Sequence, residues 1–176
     1  MPEIILIRHG EPRYDEVIER GYPNQGYDLG KLTDRGVSQA QQVSKDVRLK
    51  QAELIISSPY TRALQTAAII SKNTQIDLVI ENDLHEWMPD ITFKNENDPG
   101  LAYPEYMKNR GYLPANSVYT YETFDQLKRR VRKAVDKYKD YNKIIVVCHG
   151  IVMSTFTKFD DVIEHCGVRV VSYEWF

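Results

Sequence analysis

Four consecutive apolar residues, Ile4-Ile5-Leu6-Ile7, stop abruptly at Arg8-His9-Gly10. The run is too short to span a membrane but suits a strand buried on both faces. Such strands occupy the middle of parallel sheets, and open α/β sheets bind ligands just past the carboxyl ends of their strands. An arginine, a histidine and a glycine at that point suggest anion chemistry. The guanidinium is a forked cation, the imidazole a nucleophile or base, and the glycine lets a ligand approach the backbone. Taken alone, the three residues are also compatible with a strand end that merely turns polar at the surface.

Similar runs recur. Leu54-Ile55-Ile56 is closed by Ser57-Ser58-Pro59, and Ile144-Ile145-Val146-Val147 by Cys148-His149-Gly150. Ile76 to Ile80 is a looser fourth candidate, and Val168 to Trp175, rich in β-branched and aromatic residues, reads as an edge strand. Helical spacing separates them. Val37, Ala40, Val43 and Val47 form one apolar stripe, with Thr33 as cap and Gly36 weakening the first turn. Ala63, Ala67 and Ile70 mark a second helix starting near Pro59. Thr123 and Gln126 make a capping-box pattern ahead of Phe124, Leu127, Val131, Ala134, Val135 and Tyr138. The basic run Lys128-Arg129-Arg130 reads as a solvated helix face, since Asp136 and Asp140 follow.

Alternating strands and helices predict an α/β fold, a three-layer α/β/α sandwich with a mostly parallel central sheet. An antiparallel edge strand near the C-terminus fits this plan. A chain of 176 residues is one domain's worth. The stretch from about 87 to 121 breaks the alternation with prolines, glycines and tyrosines, and reads as a lid-like insertion over the ligand side of the sheet. A net charge of -2 gives no reason to expect nucleic acid or an anionic membrane as partner. Two cysteines without metal-ligand spacing suit a reducing compartment. No signal peptide is legible at the N-terminus, and no stretch reaches the ~20 apolar residues of a membrane helix. The expected location is therefore cytoplasmic.

In a parallel sheet, Arg8-His9-Gly10, Ser57-Ser58-Pro59 and His149-Gly150 all fall on one edge. Arg62 follows near the start of a helix. Two histidines and two arginines then share that edge. The chain here resembles the histidine phosphatase superfamily, in its phosphoglycerate-mutase-like branch. The matching stretches are Leu6 to Glu11, Leu32 to Gly36 with Gln39-Ala40, Ser57 to Ala67, Leu84-His85-Glu86 and Val146 to Gly150.

The resemblance implies a set of roles. His9 is the nucleophile and becomes a phosphohistidine, which requires its other ring nitrogen to donate to a backbone carbonyl. Arg8, Arg62 and His149 surround the phosphoryl group, whose equatorial charge forked guanidinium donors neutralise. The amide of Gly150 adds a donor. Glu86 is the general acid and base, with its neighbour His85 as a less favoured alternative. No metal and no cofactor are expected, because the arginines supply the positive charge.

Several positions depart from the family pattern. Pro12 and Asp15 stand where phosphate donors are usual, and Arg13 is the residue that could compensate. Trp87-Met88-Pro89-Asp90 after the acid matches neither the mutases nor the common small phosphatases. The first expectation is a metal-independent phosphatase acting on a small phosphorylated substrate. A phosphoglycerate mutase is the second. A phosphate-ester-binding regulatory module with little turnover is the third. The charges across Trp87 to Tyr119 disfavour a highly anionic substrate: Lys94, Lys108 and Arg110 stand against Asp90, Glu96, Asp98 and Glu105. The tyrosines there lean toward a nucleotide or phosphopeptide held by stacking.

Overall fold

The computed structural model describes residues 2–94 and 99–174. In chain order it runs β1 (Glu3–Arg8), α1 (Asp15–Glu19), α2 (Asp34–Val43), β2 (Leu54–Ser57), α3 (Thr61–Thr74), β3 (Leu78–Ile80), α4 (Pro99–Lys108), α5 (Phe124–Val135), β4 (Lys143–Cys148), α6 (Gly150–Ser154) and β5 (Val168–Ser172), with short 3-10 turns between. The five strands form one sheet in the order β3-β2-β4-β1-β5. All neighbours are parallel except β1 and β5.

Alternating side chains divide the apolar runs between two cores. Ile4, Leu6, Leu54, Ile56, Ile144 and Val146 face one way and pack with Leu127, Val131, Ala134 and Val135 of α5 and Val152 and Met153 of α6. Ile5, Ile7, Ile55, Ile145 and Val147 face the other way, onto Val43 of α2 and Ala63, Ala67 and Ile70 of α3. The fold is therefore a three-layer α/β/α sandwich, as the alternation implied. Among the described residues, no helix is long and apolar enough to cross a membrane.

Element ends differ from the sequence reading in specific ways. The Thr33 hydroxyl does cap α2, accepting from the Gly36 N–H at 2.9 Å, but α2 stops at Val43. Asp46 caps a separate turn over Val47–Leu49 by accepting from the Arg48 N–H at 2.9 Å. Val47 thus leaves the apolar stripe and is 70% exposed. α3 begins at Thr61 rather than at Pro59, and β3 is shorter than Ile76 to Ile80. The capping box of α5 is present, with Gln126 N–H on the Thr123 hydroxyl at 3.2 Å and Thr123 N–H on the Gln126 side chain at 2.8 Å. β5 ends at Ser172, and Trp175 lies outside the described residues, as do Glu96 and Asp98.

Two larger corrections concern 87–121 and the basic run. The irregular segment contains a ten-residue helix, α4, with Pro104 inside it. Proline density read as punctuation hides this helix, because Pro breaks the propensity signal that would announce it. Arg130 is not solvated: only 13% of its side chain is exposed, and it is fully engaged in the site described next.

Candidate active site

Strand register assembles the site. Arg8 pairs with Cys148 across β1 and β4, and Ser57 with Val147 across β2 and β4. His9, Ser58 and His149 therefore leave the sheet side by side at its carboxyl edge. The His9 and His149 rings lie edge to face, with centroids 5.3 Å apart. The turn after β1 is locked by close packing. A Cβ on Gly10 would meet the Gly36 carbonyl oxygen at 2.6 Å, and one on Gly36 would meet the Glu11 carbonyl oxygen at 2.3 Å. Gly36 costs α2 some helix propensity, and this contact explains its presence. The Gly10 amide donates to Thr66 of α3 at 3.0 Å.

His9 is buried, and its Nδ1 lies 2.8 Å from the Gly10 carbonyl oxygen. A carbonyl can only accept, so Nδ1 carries the proton and Nε2 keeps its lone pair. Burial pulls the imidazole pKa from 6.5 down to about 3, with help from the Arg62 and Arg8 charges and against the Gly10 hydrogen bond. The ring is neutral at physiological pH.

His149 is fully buried at the head of α6. Its Nε2 lies 2.7 Å from the Ser58 hydroxyl, which also accepts from the Tyr60 N–H at 3.3 Å. The hydroxyl has one proton and two lone pairs, so the contact serves either tautomer of His149. The His149 Nδ1 is buried with no hydrogen-bond partner among the described residues, and so is Arg8 Nε. Burial holds the His149 pKa well below 6.5, and the neighbouring Arg62 charge adds to the effect. Arg8 Nε, a buried donor left unpaired at the sheet edge beside that ring nitrogen, fits an anion, since it otherwise costs about 1–3 kcal/mol.

The arginines are anchored from behind. Arg8 Nη1 donates to the Ile163 carbonyl at 2.5 Å, and its Nε passes over Gly150, where a Cβ would sit 3.6 Å away. Arg62, in the first turn of α3, donates from Nη1 to Asp28 at 3.2 Å and sits over the Tyr60 ring at 5.3 Å. Burial raises the Asp28 carboxyl pKa despite Arg62.

Glu86 is half-buried and accepts from the Trp87 N–H at 2.8 Å. Burial pushes its carboxyl pKa up, opposed by that amide and by the Arg62 and Arg8 charges. Arg8, Glu86 and Gly150 line one cleft. The segment carrying Glu86 is held by Arg130, which donates to the Asp83 and His85 carbonyls at 2.6 and 3.0 Å. The same guanidinium forks onto Glu122 with two bonds of 2.8 Å. His85 turns toward Tyr60, its ring 5.9 Å from the tyrosine.

Arg8, His9, Arg62, Glu86, His149 and Gly150 thus gather at one edge. Arg13 does not join them: its guanidinium forks onto Asp15 and both side chains are exposed. The aspartate and the arginine of this loop cancel each other, since Asp15 is spent on Arg13. Pro12 forms a bridge to Leu32. Sequence reasoning missed Asp28, Ser58, Glu122 and His165, whose ring lies 5.6 Å from His9. Only Ser58 carried a signal, as part of the Ser57-Ser58-Pro59 strand end.

Residues 4–159 match the family model of the histidine phosphatase superfamily, branch 1. The chain belongs to that superfamily. Two curated relatives carry provisional names. One, a phosphoglycerate mutase of Photorhabdus laumondii, is 25% identical over 158 residues, covering 87% of this chain and 72% of that protein. The other, a phosphoserine phosphatase of Hydrogenobacter thermophilus, is 28% identical over 155 residues, covering 85% and 74%. The mycobacterial glucosyl-3-phosphoglycerate phosphatase shares the fold, with a TM-score of 0.74 at 18% identity over 99% of this chain and 93% of that one. Phosphatases and mutases thus both stand among the superfamily members that this chain resembles.

Proposed function

We propose that this superfamily member is a metal-independent phosphatase that hydrolyses a phosphomonoester through a phosphohistidine on His9. The observation that carries the reading is the His9–Gly10 hydrogen bond, which leaves a neutral imidazole with a free Nε2 beside two arginines. The Nε2 lone pair forms the N–P bond as the bond from phosphorus to the leaving oxygen breaks. Glu86, its carboxyl pKa raised by burial, gives that oxygen its proton. The resulting carboxylate then takes a proton from water, the water oxygen attacks phosphorus, and the N–P bond breaks. Inorganic phosphate leaves and His9 is restored.

Arg8 and Arg62 neutralise the equatorial oxygens, and the unpaired His149 Nδ1 and Arg8 Nε supply further donors. The segment from 87 to 121 acts as the lid. Arg13 has no part in holding the phosphoryl group, being paired with Asp15. A mutase is the second reading, supported by the named relative from Photorhabdus laumondii. A coupled assay with 2- and 3-phosphoglycerate separates the two.

The direct test is p-nitrophenyl phosphate hydrolysis with acid-quench trapping of labelled enzyme. His9→Ala is expected to abolish turnover and label. Wild-type rates in that variant would refute the mechanism. Glu86→Gln is expected to slow poor leaving groups by about 10²–10⁴-fold and activated ones far less.

A further inference from the structure

The cleft that contains Arg8, Glu86 and Gly150 extends away from the two histidines, with a volume of about 380 Å³. Its far walls are Tyr103, Tyr106 and Met107 of α4, Ile151 of α6 and Phe159 and Ile163 of the following loop. Among the described residues Arg8 is its sole basic lining residue, and Arg8 is already bound to the Ile163 carbonyl. The remaining charges in the lining are carboxylates, Asp160 and Asp161 beside Glu86. Asp161 is held by Arg169 at 3.0 Å and Asp160 stands 4.0 Å from Lys158. Those two cations lie outside the lining, so they quench the rim without presenting a positive charge to the cleft.

The aromatic wall is built rather than incidental. Tyr106 packs on Trp87 at 4.7 Å and on Phe159 at 5.4 Å between ring centroids, and Tyr106 itself is wholly buried. Its hydroxyl has no hydrogen-bond partner among the described residues. A buried hydroxyl left unpaired beside a cleft wall is an offer to a ligand, because the missing bond costs stability in the free protein. Flat apolar surfaces with a few polar groups among them, Tyr103 and Ser154 included, suit an aromatic group bearing a hydroxyl or carbonyl. A carboxylate would lose hydration there and meet no free cation among the lining residues.

Resting on the phosphohistidine reading, we propose that this cleft takes the leaving group and selects phosphomonoesters of uncharged aromatic alcohols over those of carboxylated ones. Val162 gives a clean handle on the charge argument. It lies in the lining at the rim, is 90% exposed, and can be replaced without touching the core.

The test is calorimetric binding of four probes to the full-length His9→Ala protein, in parallel with turnover by the wild type. The probes are phenyl phosphate, 1-naphthyl phosphate, 4-carboxyphenyl phosphate and 3-phosphoglycerate. Naphthyl phosphate is expected to bind at least about tenfold more tightly than 3-phosphoglycerate, from ring burial. Phenyl phosphate should bind more tightly than its carboxylated isostere. Adding Val162→Lys should narrow that last ratio by severalfold. Equal or tighter binding of the carboxylated probes overturns the proposal, as does a ratio unmoved by Val162→Lys or no binding at all. If the expected order holds in binding while the wild type turns over none of the probes, the subsite stands and the phosphatase reading fails. Turnover without that order sinks the subsite alone.

Discussion

Arg62 meets the carboxylate of Asp28 at 3.2 Å, so one of the two site arginines already holds an anion from its own chain. The contact joins the 3-10 turn Asn24–Leu29 to the start of α3. The carboxylate orients the guanidinium and also repels any phosphoryl group that approaches it. Asp28→Asn keeps the shape and removes the repulsion. Competitive inhibition by inorganic phosphate is expected to tighten by about three- to tenfold in that variant. Weaker inhibition would mean that orientation, not charge, is the main contribution of Asp28.

The His9 ring makes acid stability a direct readout of its environment. Its pKa is about 3 in the fold against 6.5 for a solvated histidine, so the unfolded chain binds a proton first as pH falls. The contribution is complete above 6.5 and is lost progressively toward 3. His149, also held low by burial, acts with the same sign. Relative to His9→Phe, the wild type should lose about 1.4 kcal/mol per pH unit in that window. Urea midpoints at about pH 7.5, 5.5 and 4.5 measure it, and a constant gap between the two proteins would contradict the burial argument.

Arg130 and Glu122 form a pair at the back of the Glu86 segment, with 13% and 4% of their side chains exposed. Trp87 Nε1 also donates to the Glu122 carbonyl at 2.7 Å. Arg130→Met strands a buried carboxylate and should cost about 3–5 kcal/mol of stability. Arg130→Met with Glu122→Gln should recover much of that loss in chemical denaturation. On the proposed mechanism, the double variant should still hydrolyse poor leaving groups disproportionately slowly, because the Glu86 segment has lost its anchor. Recovery of both properties together would make the pair purely structural.

Gly36 separates local propensity from tertiary contact. An exposed helical Gly→Ala change gains about 1 kcal/mol on propensity alone. Here the new Cβ would stand 2.3 Å from the Glu11 carbonyl oxygen and 2.9 Å from its nitrogen. Gly36→Ala is therefore expected to destabilise by about 1–3 kcal/mol and to displace the turn after β1. A rise in melting temperature would show that the turn yields.

Strands carry the legible part of the site. Ile4–Ile7, Leu54–Ile56 and Ile144–Val147 each announce a buried strand, and each has its polar residues at the same end. Parallel pairing is enough to bring Arg8, His9, Ser58 and His149 together. Arg62 follows because α3 starts just beyond Pro59. Arg130 escapes the sequence reading because helix periodicity assigns a residue to a face, and does not say what covers that face. The helix α4 is hidden by its prolines.

By itself the sequence determined the sheet, its two apolar faces and the edge where the charged residues collect, because those follow from alternation along short buried strands. Tertiary structure decided what those residues can do. The Gly10 carbonyl fixes the His9 tautomer, Ser58 engages Nε2 of His149, Asp28 restrains Arg62, and Asp15 withdraws Arg13. Each depends on close placement of backbone or side-chain atoms, and the Ser58–His149 and Asp28–Arg62 pairs are far apart in the chain. Hydrogen bonds and burial act at that short range, and no periodicity in the sequence records them.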